Sequence, residues 1–78
     1  MTSKHSDINA KIGLKIKLIR TKLGLSQEKC AELSELSQNA LGAIERGQSQ
    51  PTINTLARIA DALNTELKEL VDITKIDL

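Results

Sequence analysis

Seventy-eight residues with one cysteine, Cys30, make a single small domain that no intramolecular disulfide can staple. The chain has no Phe, Tyr or Trp, which argues against modules that stack unpaired bases on aromatic rings and leaves single-stranded nucleic acid a poor partner. The net charge of +1 is unevenly divided, nine Lys/Arg against five Asp/Glu in residues 1–60 and two against five in residues 61–78, so one end can face phosphate while the other stays clear of it. A solvated basic helix would give the same division.

The chain reads as helix throughout, with no alternating strand pattern of useful length. An all-α fold of five helices is expected over residues 7–72, between a flexible tail at 1–6 and a C-terminal tail at 73–78. The spacing predicts a first helix over 7–23. Ile8, Ile12, Ile16, Ile19 and Leu23 fall three and four apart on one buried stripe, with Lys11, Lys15 and Lys22 largely off it. Gly24 follows where a left-handed cap residue is expected. Ser26 caps a second helix over 27–34, with Glu28 in its first turn and Cys30, Ala31 and Leu33 facing inward.

Three residues, 35–37, separate it from a third helix over 38–46, capped by Ser37, ended by Gly47, and turning Leu41 and Ile44 to the core. After a polar loop, Thr52 caps a fourth helix carrying Ile53, Leu56, Ala57, Ile59, Ala60 and Leu63. Asn64 stands at its end, the residue next most tolerant of left-handed geometry after glycine. Thr65 is expected to cap a fifth helix with Leu67, Leu70 and Val71, while Ile73, Ile76 and Leu78 are spaced either way. The N-terminus has no apolar leader, and no stretch approaches the roughly 18 apolar residues of a membrane span. A cytoplasmic protein is the expectation. Cys30 and His5 are too few soft ligands for structural zinc, and no metal or cofactor is expected.

Two short helices joined by a three-residue turn are the mark of helix-turn-helix. LGLSQ at 23–27, the small Ala31, IERG at 44–47 and PTINTLARIADAL at 51–63 occur together, in order. On these anchors residues 12–72 resemble the five-helix domain of the phage repressor and Cro family, the xenobiotic-response-element type. The resemblance implies a compact lambda-repressor-like fold. It also implies a sequence-specific, double-stranded DNA-binding transcription regulator whose third helix, about residues 38–46, enters the major groove. Similar short chains include Cro-like repressors, mobile-element regulators and restriction–modification controller proteins, and the sequence does not choose among them.

In the family geometry Gln38 and Asn39 stand at base edges, where either amide can bond adenine N6 and N7 together. Two exposed amides at a helix start can equally cap or be solvated. Ala43, one turn on, would reach a thymine methyl. Gly42 is a departure, because glycine inside a helix costs about 1 kcal/mol against alanine. It either permits close approach to the DNA backbone or is a tolerated flaw. The resemblance implies that Gln27 donates to a phosphate and braces Gln38, and that Arg46, Ser49 and Gln50 contact phosphate. It further implies that Arg20 and Glu45 pair, tying the first helix to the end of the third. Many relatives carry lysine in the loop after the third helix; its absence here implies modest non-specific affinity. Cys30 stands where leucine is usual, either as core or as a redox switch. His5 is assigned no role.

One recognition helix spans too few base pairs to single out a genomic site. The resemblance implies a homodimer on an imperfect palindrome, its half-sites about 34–36 Å apart. The expected contact surface is Leu67, Leu70, Val71, Ile73, Ile76 and Leu78, in the acidic C-terminal segment; the alternative is that the tail folds back over its own core. The length leaves no room for a ligand-sensing domain, so control by concentration is expected. Two other functions stay open: an antitoxin that binds a toxin partner and represses its own operon, and an interaction module that keeps the fold without reading DNA. An enzyme is not expected, since one histidine and one cysteine 25 residues apart form no catalytic constellation.

Overall fold

The computed structural model describes residues 4–74 and 76. Among them run five helices and no strand: α1 (Lys4–Lys22), α2 (Gln27–Leu33), α3 (Gln38–Glu45), α4 (Ile53–Ala62) and α5 (Leu67–Val71). α1 begins at Lys4, so residues 4–6 continue the helix where a tail was expected. Leu78 lies outside the described residues. No helix among them is long and apolar enough to cross a membrane.

The helices start and stop for local reasons. Ser26, Ser37 and Thr52 each hold an extended backbone conformation and accept a hydrogen bond from the backbone N–H three residues on, at 3.0, 3.0 and 3.1 Å. The first four helices all end in the same paired motif. The first residue past the cap turns left-handed and donates to the carbonyl three back, and the next donates to the carbonyl five back. Leu25 N–H reaches Arg20 O at 3.1 Å, Leu36 reaches Ala31 at 2.9 Å, Gln48 reaches Ala43 at 2.9 Å, and Thr65 reaches Ala60 at 2.9 Å. The left-handed residues are Gly24, Glu35, Gly47 and Asn64.

One of those turns corrects the sequence reading, and another holds an unexpected residue. Glu35, at φ 59°, takes a conformation that disfavours residues bearing a Cβ. Thr65 is consumed in terminating α4, so α5 starts later and its cap position, Glu66, makes no side-chain cap hydrogen bond.

The core gathers Ile12 and Ile16 of α1, Cys30 and Ala31 of α2, Leu41 and Ile44 of α3, Leu56, Ile59, Ala60 and Leu63 from α4 and its cap, and Leu70 of α5. Ile19, Leu25, Leu36, Leu67 and Ile73 pack around it. Four residues assigned to apolar faces are exposed instead: Ile8, Leu23, Leu33 and Ile53. Leu33 has a clear reason. Ser34, four residues after Cys30, takes the buried position, its hydroxyl donating to Cys30 O at 2.8 Å, and Leu33 is left on the flank. Lys15 departs in the other direction. It is buried because its Nζ meets Glu69 Oε1 at 3.1 Å, joining α1 to α5.

Candidate nucleic-acid interface

α2, the turn at 34–37 and α3 form one rigid corner. Ser37 starts α3 immediately after the left-handed turn ends α2, so the relative direction of the two helices is fixed by backbone hydrogen bonds. Ala31 of α2 is buried in the core beneath this corner, 2% exposed.

The far end of α3 is tied to α1 in two ways. Gly13 lies where a Cβ would collide with the carbonyl oxygens of Ile44 and Glu45, so its bare Cα allows α1 to rest directly on the α3 backbone. Arg20 supplies the second tie. Its Nε donates to Glu45 Oε2 at 2.7 Å and its Nη2 to Glu45 Oε1 at 3.0 Å, while Nη1 caps the Leu25 carbonyl at 2.8 Å. Both side chains are nearly enclosed, 10% and 3% exposed. The hydrogen bonds to Glu45 raise the Arg20 guanidinium above its ordinary range, against the opposing effect of burial. A bidentate pair of this kind specifies orientation as well as contact.

From Glu45 the connection continues outward. Gln27 Nε2 donates to the same Glu45 Oε1 at 3.1 Å, and Gln38 Nε2 reaches Gln27 Oε1 at 3.4 Å. A chain of hydrogen bonds therefore runs Arg20–Glu45–Gln27–Gln38, from the α1–α3 contact to the first residue of α3. Gln27 is half-buried and Gln38 exposed. Asn39 is exposed beside Gln38, and Ala43, four residues on, is half-exposed. Arg46 caps α3 with its side chain in solvent, Nε donating to Gln48 Oε1 at 2.9 Å. Ser49 and Gln50 follow in the same loop.

The helix-turn-helix family model matches residues 16–70, from the middle of α1 to α5. The chain belongs to the helix-turn-helix family of transcription regulators. The chain is 37% identical over 65 residues to an HTH-type transcriptional regulator of Sinorhizobium fredii, covering 83% of this chain and 84% of that one. It is 35% identical over 65 residues to the control protein C.SmaI of Serratia marcescens, covering 83% and 77%. The crystal structure of the restriction–modification controller protein C.AhdI from Aeromonas hydrophila superposes with a TM-score of 0.83 at 37% identity, covering 87% of this chain and 99% of that one. These relatives are DNA-binding regulators, not enzymes.

For this helix-turn-helix regulator the structure places one expected contact residue in the core and shows two supporting residues besides. Leu70, expected at a dimer surface, is 0% exposed and is the single buried anchor of a five-residue helix, so it belongs to the core of one chain. Leu67 and Ile73 also pack on that core, the tail folding back at Ile73, while Val71 is exposed and Ile76 half-buried. Cys30 is core, and burial pushes its thiol up, away from the thiolate that redox switching needs. Gly13 and Gln48 escaped the sequence reading. A glycine inside an apolar helical stripe was the available sign for Gly13; a polar loop glutamine gives none.

Proposed function

We propose that this regulator binds duplex DNA sequence-specifically as a homodimer, each copy laying α3 in the major groove at one half of a palindromic operator. The hydrogen-bonded chain Arg20–Glu45–Gln27–Gln38 carries the reading. It leads from a buried ion pair to an exposed amide, which is what a base-reading side chain needs if its donor and acceptor are to be in place before the groove arrives. Gln38 and Asn39 read base edges, and Ala43 lies against a thymine methyl. Gln27, Arg46, Ser49 and Gln50 hold phosphates and set the register of α3 without carrying sequence information.

The dimer surface is the outward side of α5 and the segment after it, with Val71 foremost and Leu67, Ile73 and Ile76 at its margin. That C.SmaI and C.AhdI are named as controller proteins supports a role of the same kind, in which accumulation of the dimer sets promoter activity. Hydroxyl-radical footprinting on a selected site tests this. Two protected patches about one helical turn apart are expected. One patch would contradict the dimer, and even protection along the duplex would contradict sequence-specific reading.

A further inference from the structure

We propose that Gly42 is a positioning residue for DNA binding: the side chain it lacks leaves a notch on α3 that seats the Arg46 guanidinium beside the Gln27 amide. The inference rests on the reading of α3 as the groove-entering helix and deepens it. Gln38, Gly42 and Arg46 recur every fourth residue, so they form one row along the helix.

A Cβ placed on Gly42 would stand 2.9 Å from Arg46 Nη1 and 3.5 Å from both Gln27 Nε2 and Gln27 Oε1. The first separation is too short for a real Cβ, while the other two are ordinary contact. The end of the Arg46 side chain thus occupies space that a methyl would claim. Helical side chains lean toward the N-terminus of their helix, and here that lean carries the guanidinium back over the turn at Gly42. Gln48 holds the other side through Arg46 Nε. The guanidinium's remaining four donors sit on Nη1 and Nη2.

Nothing in the packing of the fold demands glycine at this position. The nearest atoms to the missing Cβ all belong to the flexible Arg46 and Gln27 side chains. Gly13 is the contrast, since its Cβ would strike backbone. Glycine is also the poorest helix former after proline, so the fold tolerates Gly42 without benefiting from it. DNA binding does benefit. An arginine on a bare helix surface samples many rotamers, and ordering it on association opposes binding. The notch and Gln48 order it beforehand.

A double-mutant cycle tests this on the duplex that the wild-type chain prefers from a randomised pool, using wild type, Gly42→Ala, Arg46→Ala and the double variant. Gly42→Ala is expected to raise Tm while weakening binding about three- to tenfold, within the range of one ordinary hydrogen bond. In the Arg46→Ala background the same change should alter affinity by less than about twofold. Unchanged affinity for Gly42→Ala would overturn the proposal, and so would a lowered Tm, which would show that the fold itself needs the glycine. An equal loss in both backgrounds would overturn it too, because the methyl would then be meeting the DNA directly. A wild-type chain that preferred no duplex would overturn the DNA reading and the proposal together; a selective wild type with an additive cycle overturns the Gly42 assignment alone.

Discussion

A glutamine on a helix surface has three rotatable bonds and little reason to hold one rotamer. Gln38 has a reason, because Gln27 accepts from it and is itself anchored on Glu45. Gln38→Ala is expected to cost about 1–3 kcal/mol on the preferred duplex and to relax one base position per half-site. Equilibrium titrations against duplexes varied one pair at a time would show it, and an unchanged preference would count against Gln38 as a reader. The sequence reached this pair, and Arg20 with Glu45, only through the family resemblance. Arg20 and Glu45 stand 25 residues apart, and no local periodicity links them. Gly13 was not reached because its meaning lies in what α3 places against it. Gln48 was missed because its role depends on the rotamer of Arg46.

At the scale of the element, starts and stops were the most legible features. Ser26, Ser37 and Thr52 have hydroxyls where helix N-termini need acceptors, and Gly24, Gly47 and Asn64 suit left-handed ends. Glu35 was the illegible one. Its residue type gives no sign of φ 59°, yet the turn between α2 and α3 needs that conformation. Left-handed backbone costs a residue with a Cβ about 1–2 kcal/mol, part of which glycine returns through its more flexible unfolded chain. Glu35→Gly should therefore stabilise the fold by about 0.5–1 kcal/mol, raising Tm by about 2–8 °C. A thermal melt that moved down would show that Glu35 makes compensating contacts. Facing was less legible than boundaries. The end of the second helix buries its cap residue Ser34 and exposes Leu33, because a hydroxyl that bonds the carbonyl four residues back loses its polarity cost.

Across the whole molecule, the charge division read from the sequence is one of chain order, nine of the eleven Lys/Arg lying in residues 1–60. The fold brings its two parts together where Lys15 of α1 meets Glu69 of α5 at 3.1 Å. The apolar pattern of α5 was overread. Leu67, Leu70 and Val71 look alike in sequence, but Leu70 closes the core of one chain and only Val71 is exposed. Leu70→Glu would consequently unfold the monomer and say nothing of assembly. Val71→Glu is the discriminating variant: it should keep its helical circular dichroism, sediment as a monomer and bind a full operator poorly. A folded Val71→Glu dimer would move the interface elsewhere.

On the proposed function, a pre-ordered α3 reads base edges in two copies. Selection of binders from a randomised duplex pool of about thirty base pairs, long enough for two half-sites one turn apart, tests it most directly. An enriched palindrome is expected, with half-site centres about 10–10.5 base pairs apart and an adenine in each half within reach of Gln38 or Asn39. A folded chain that enriched no sequence would contradict it.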